Sequence, residues 1–403
     1  MMRARHGPRV HPAGRGSESF IVSGWRLVVV SALIYARVVW LALRAYRNPG
    51  RALRALMGVR AELLRQRQSS ATKYARAGGR YFWHLYAPGW PSRAFDRFVE
   101  GELDRVVPFR GAPAALQTVL LAVTKRCAFA CEHCCEWDEL NARESLTRDD
   151  LHAVVAQIPG LGTGQVFLTG GEPLLRFEVL ADLVAAVSVG ADVWVITSGQ
   201  RLTDERAARL RAAGLTGIVF SLDDWRADRH DRFRGVPGAY AGVERGAAAA
   251  RRAGLLVAVS LCPTRAFVTE DNLNRYAETA RRLRGSFIQI LEPKAVGRYA
   301  GQDVTLTDKQ YRLLEAFYQR LNTDPACREF PKVASPDLTA RRVQCFGGGD
   351  RYAYIDADGA LHSCPFCRSR GVSVLDGRLG AALHALRRAG CPVAGLSQLA
   401  VWN

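Results

Sequence analysis

The sequence predicts an α/β fold with a parallel sheet, because short β-rich runs alternate with stretches of helical periodicity. The runs are Leu116–Val123, Gln165–Leu168, Val193–Thr197, Gly217–Leu222, Leu255–Leu261 and Ser286–Leu291. Ala-, Leu- and Arg-rich segments such as Thr203–Ala213 and Tyr240–Ala253 fill the gaps between them. The repeat falls at roughly twenty-five to fifty residues, the spacing of βα units. About six repeats are too few for a closed eight-stranded barrel. A chain of 403 residues, 48% hydrophobic, can bury such a core and carry a small further module.

The first of these strands leads into a loop with three closely set cysteines, Cys127, Cys131 and Cys134. Thiolates at the spacing C-x3-C-x2-C can hold three corners of an iron–sulfur cube and leave the fourth iron open to a small molecule. A closed zinc knuckle, with His133 or Cys135 as fourth ligand, is the alternative reading of this loop by itself. Three further segments follow strand ends. Leu168-Thr169-Gly170-Gly171-Glu172-Pro173 has glycines that allow close backbone approach and a carboxylate able to accept from an ammonium group. Ser221-Leu222-Asp223-Asp224 precedes His230-Asp231 and Arg234-Gly235, and Gln289-Ile290-Leu291-Glu292-Pro293-Lys294 precedes Gly297-Arg298.

In this order the four segments resemble the radical S-adenosylmethionine (SAM) superfamily. The resemblance implies a partial (β/α)6 TIM-like barrel over residues 115–305, with its chemistry at the carboxyl ends of the strands. It implies that Cys127, Cys131 and Cys134 bind a [4Fe–4S] cluster whose free iron is chelated by SAM. Gly170, Gly171, Glu172 and Pro173 would orient the methionine end, with Ser198 nearby. Ser221, Asp223 and Arg298 would lie near the ribose and carboxylate. Two positions depart from the usual pattern: His133 stands where an aromatic residue is common, and Thr197-Ser198-Gly199 replaces Thr-Asn-Gly. A one-electron donor such as flavodoxin or ferredoxin is the implied partner.

The C-terminal region carries a second set of cysteines. Cys345 is followed by thirteen residues, Gly359, four more residues and Cys364; Cys367 and Cys391 come after. Between them Tyr352–Ile355 and the residues after Asp356 read as a β-hairpin. A hairpin with cysteines at both ends is a metal-stapled module, and a zinc ribbon is one form of it. By resemblance to SPASM or twitch extensions, residues 345–403 would hold one auxiliary [4Fe–4S] cluster. Cys345, Cys364, Cys367 and Cys391 would be the ligands, with Cys327 or no protein ligand as alternatives to Cys391. Residues 306–344 read as a helical linker. Cys135 reads as a small buried side chain, and Cys262 receives no role.

Residues 1–16 are basic, rich in Gly and Pro, and read as a disordered tail. Residues 17–66 read as an amphipathic helical segment, ended by Pro49-Gly50 in its first part. Arg26, Arg37 and Arg44 fall within about 20° of one direction on a helix. Such a helix lies in a membrane surface with arginines toward phosphates, or packs on the barrel with its arginines in water. The same arginines count against a membrane span, and no cleavable signal is found. Residues 67–114 read as a helical and loop preface whose aromatics serve packing.

Ten cysteines, mostly in metal spacings, argue a reducing cytoplasm over disulfides, with the inner face of the membrane as a peripheral site. The net charge of +18 invites nucleic acid. The basic residues are scattered along helices without a binding motif, which weighs against that partner. The function expected is thus a radical SAM enzyme abstracting hydrogen from a peptide, a lipid-linked or another small-molecule substrate. A non-catalytic iron–sulfur or zinc scaffold and a tRNA-modifying enzyme are the alternatives.

Overall fold

The computed structural model describes residues 20–66, 72–110, 115–343, 345, 347–366, 368 and 371–389. The expectations for the basic tail, Cys367 and Cys391 lie outside the described residues. Strand β1 (Phe20–Val22) pairs with the hairpin β2 (Tyr74–Ala77) and β3 (Arg80–Phe82) in a small antiparallel sheet. The six predicted barrel strands follow: β4 (Thr118–Ala122), β5 (Gln165–Thr169), β6 (Asp192–Thr197), β7 (Gly217–Ser221), β8 (Leu256–Leu261) and β9 (Phe287–Ile290). Each is parallel to the next. Both faces are covered, which is why these strands are near-continuous apolar runs; every residue of β8 and β9 is buried. The outer face packs on helices, including Asp204–Ala212 and Ala239–Arg252, which match the two predicted segments.

Four further strands of this sheet were not visible as barrel strands in the sequence. β10 (Lys332–Ala334) extends it beside β9. At the other end β11 (Tyr352–Ile355) lies parallel to β4, and β12 (Ala360–His362) and β13 (Val372–Ser373) continue antiparallel. The predicted C-terminal hairpin is therefore real and is part of the main sheet. Its Asp356 Oδ1 accepts from the N–H groups of Asp358 and Ala360, at 2.9 Å each, which fixes the turn. Inside the barrel, the amino ends of the strands are plugged by the β2–β3 hairpin. Ala75, Ala77, Phe82 and Leu85 pack there on Phe167, Trp194 and Phe287.

Three N-terminal helices lie against one side: α1 (Trp25–Tyr46), α2 (Pro49–Arg65) and α3 (Arg93–Val106). Arg47 in the left-handed region ends α1. Pro49 is the first turn of α2, capped by Asn48, so the Pro-Gly pair begins a helix where the sequence suggested only an end. The arginine face of α1 runs along the edge of its contact with α3. Arg37 donates to both carboxylate oxygens of Asp96 at 3.0 and 2.6 Å, and Arg44 to Glu100 at 2.6 Å, both on α3. Arg37 is half-buried on α3 while Arg26 and Arg44 stay exposed, and so do the apolar Trp25, Val28, Leu33, Trp40 and Leu43. Length and composition would allow α1 to cross a membrane, with 22% of its apolar window buried.

Candidate active site

The cysteine loop leaves the carboxyl end of β4 and is held by backbone contacts from three directions. After β5, the Gly171 and Glu172 N–H groups donate to Thr124 and Arg126 carbonyls, both at 2.8 Å. A Cβ on Gly171 would collide with the Arg126 carbonyl, so glycine is required for approach to the loop itself. From the helix Ala227–Arg234, Ala130 and Glu132 N–H groups meet the Arg234 and Phe233 carbonyls at 3.1 and 2.9 Å. From the turn after β9, the Arg298 N–H donates to the Cys134 carbonyl at 3.0 Å. Gly297 has φ +54°, and a Cβ there would strike the same carbonyl.

A cavity of about 210 Å³ opens at the carboxyl ends of the strands. Cys127, Cys131, Cys134, Gly170, Gly171, Glu172, Ser198, Ser221 and Asp223 all line it. Pro173 instead opens a short helical turn capped by Glu172. Arg298 lies against the loop's back: its guanidinium donates to the Ala130 carbonyl and sits 4.4 Å from the Trp137 ring centre.

The polar groups of the cavity are tightly partnered. Glu172, 3% exposed, accepts from Thr197 Oγ1 and Leu174 N–H on one oxygen, and from the Ser198 N–H and hydroxyl on the other. Asp223 accepts from the Cys262 N–H at 3.0 Å and pairs with Arg234 at 2.6 Å. Burial pushes the Asp223 carboxyl up, but Arg234, His133 and His230 more than offset it, and the net direction is down. Arg234 also donates to Cys131 Sγ at 3.4 Å. Burial raises the Cys127 thiol to about 12 and the Cys134 thiol to about 11. Burial lowers His133 to about 4, and its ring stacks on Phe233 at 4.9 Å.

This donor set fits an iron–sulfur cluster. Three free thiols, one buried and two half-buried, line one wall, and the Arg234 guanidinium donates to one of them. Among the described residues, no three His, Cys, Asp or Glu side chains gather as a single metal ion would need. Sequence reasoning left two groups here without a role. Cys262 lines the cavity under Asp223, and Arg234 is the counter-charge of both Asp223 and Cys131. Their position at strand and helix ends was legible, but the ion pair depends on the folded register.

The C-terminal hairpin closes one side of the site. The Tyr354 hydroxyl and Arg368 both donate to Glu136, just past the cysteine loop. Cys345 and Cys364 flank Tyr352, whose hydroxyl is pushed well up by burial and by those two thiols.

The Radical SAM superfamily model matches residues 121–283. The AdoMet-dependent heme synthase of Nitratidesulfovibrio vulgaris is 28% identical over 214 residues, 52% of this chain and 57% of that protein. The chain thus spans little more than half the length of the heme synthases it matches. The GTP 3′,8-cyclase of Xanthomonas axonopodis pv. citri is 29% identical over 276 residues, 62% of this chain and 80% of that one. Among solved structures, Streptococcus suis SuiB bound to precursor peptide SuiA superposes with a TM-score of 0.55 at 13% identity. That match covers 74% of this chain and 70% of SuiB. His6-tagged anSMEcpe with bound AdoMet gives 0.52 at 15% identity, covering 69% and 83%. Residues 121–283 thus match a radical SAM domain.

Proposed function

We propose that this enzyme uses SAM to take a hydrogen atom from a substrate held over the cysteine loop, with a second cluster at the C-terminal hairpin assisting. The observation that carries the reading is the convergence of nine sequence-predicted residues on one cavity at the carboxyl ends of β4–β8. When bound, the cluster and SAM would supply hydrogen-atom abstraction initiated by an electron from a one-electron donor. The chain's own residues bind, orient and exclude water. Cys127, Cys131 and Cys134 hold the cluster, and Arg234 balances their charge. Glu172 has its acceptor positions filled, so it acts by fixing Ser198 and Thr197 at the amino end of SAM. Ser221 and Asp223 face the sugar side. Arg298 supports the loop through the Ala130 carbonyl and so positions the cluster indirectly.

Cys345 and Cys364, with Cys367 and Cys391, are the ligands proposed for the auxiliary cluster. The approach of the first two around Tyr352 supports this, as does the link from Tyr354 to the cysteine loop. The test is anaerobic reconstitution with iron and sulfide, then SAM and dithionite, with assay of 5′-deoxyadenosine. The wild-type chain is expected to form it, and Cys127→Ala, Cys131→Ala and Cys134→Ala to form none. Cys364→Ala is expected to lose iron yet retain cleavage. Wild-type iron content in Cys364→Ala, with zinc present, would remove the auxiliary cluster from the proposal.

A further inference from the structure

A second cavity, about 370 Å³, lies beside the first and is mostly apolar. It occupies the side of the open barrel between β10 and β11, where the sheet does not close on itself. The N-terminal helices form its outer wall through Val38, Val59 and Phe98. Six residues line both cavities: Leu120, Ile196, Gln289, Leu291, Pro365 and Phe366. The two spaces therefore share a wall, and a ligand in the larger one can reach the radical site. Its volume falls within the roughly 300–1,000 Å³ of ligand pockets.

The mouth of this cavity faces the exposed apolar surface of the helices. Tyr35 on α1 and Leu63 on α2 both line the cavity while remaining 65% and 37% exposed. Val39, one turn on from Tyr35, is exposed as well, and so are Leu33, Trp40 and Met57 elsewhere on the two helices; Arg37 pairs with Asp96. Exposed apolar side chains of this kind mark an interaction site, and the cavity behind them is mostly apolar, with Glu102, Asp337 and Arg351 also in its lining. At the inner end, Gln289 is 4% exposed; its Nε2 donates to Tyr86 Oη, and its Oε1 has no partner. An orphaned buried amide oxygen at the junction calls for a polar ligand group there.

We infer that the substrate is a lipid drawn from a membrane that contacts α1 and α2. Its hydrocarbon chain fills the lateral cavity, and a hydrogen-bond donor on the ligand meets Gln289. This inference rests on the radical reading for its chemistry but not for its binding. To test it, the full chain is mixed with phosphatidylcholine–phosphatidylglycerol vesicles carrying a monoacylglycerol whose palmitoyl chain bears a diazirine and whose hydroxyls can donate. The sample is irradiated, and the adducts are mapped by peptide mass spectrometry. Adducts are expected on Val38, Phe98 and Leu291, and are expected to fall at least tenfold when Val59→Trp fills the cavity. Leu63→Glu, an exposed change at the mouth, serves the same purpose if the tryptophan variant does not fold. Adducts confined to the outer face of α1, or unchanged in both variants, would overturn the inference. SAM cleavage is assayed on the same sample: cavity adducts without cleavage would uphold the lipid site and sink the radical reading.

Discussion

Arg234 is the residue on which the site's electrostatics depend most, and its removal has a calculable cost. The side chain is 10% exposed, and its partner Asp223 is 2% exposed. Replacing Arg234 with Met keeps apolar bulk but leaves a carboxylate buried without its cation. Breaking a buried pair in this way costs about 3–5 kcal/mol, because the remaining charge has lost its compensation while staying out of water. Whole-domain stability is only about 5–15 kcal/mol, so the variant would be visibly weakened. Urea unfolding of the iron-free chain, followed by far-UV circular dichroism, measures it. Adding Asp223→Asn removes the stranded charge and should restore more than half of the loss. The positive coupling in that double-mutant cycle is the diagnostic quantity. A loss under about 1 kcal/mol in Arg234→Met, or no recovery in the double variant, would show that water already screens the pair.

Three further outcomes are expected. Gly297→Ala forces a Cβ against the Cys134 carbonyl at positive φ, and should cost at least about 1 kcal/mol. Its reconstituted iron content should fall with it, whereas wild-type stability and iron would refute the clash. Glu172→Gln cannot accept at both carboxylate positions, so SAM affinity by calorimetry should weaken roughly tenfold or more, as expected for a lost charged hydrogen bond of about 1.5–3 kcal/mol. Lys332 is lowered to about 7, first by burial and then by Lys73, which burial itself lowers to about 8. The unfolded chain, with lysines near 10.4, therefore binds more protons between about pH 7 and 10, and stability should rise with pH across that window. Lys332→Met should flatten the slope of Tm against pH, and an unaltered slope would refute the assignment.

How far the sequence could be read differs from element to element for physical reasons. The barrel strands announced themselves because both their faces are buried, so β7 and β8 are apolar at almost every position. The cysteine loop and Gly170-Gly171 were legible because close backbone approach leaves little choice of residue. Beside the cavity they line, those glycines also pack on the Arg126 and Thr124 carbonyls of the loop. β10 is only three residues, Lys332–Ala334, and carries no periodicity of its own. The orientation of α1 could not be read from its own residues. Arg37 and Arg44 pair with Asp96 and Glu100 on α3, some sixty positions away, and only tertiary structure brings those charges together. Likewise the lateral cavity is bounded by segments from both ends of the chain.

The pairing of β11 with β4 has a consequence for how the chain is made. β4 is the first barrel strand to emerge from the ribosome, yet one of its two neighbours is synthesised roughly 230 residues later. At the usual rate of about 5–20 residues per second, its edge would wait on the order of tens of seconds. Its exposed N–H and C=O groups and Val119, Leu120 and Leu121 form an open template for intermolecular pairing in that interval. Nascent chains of this protein should thus be more aggregation-prone than the finished enzyme. Chaperone occupancy should peak while β5–β10 are being translated and end when Tyr352–Ile355 is released.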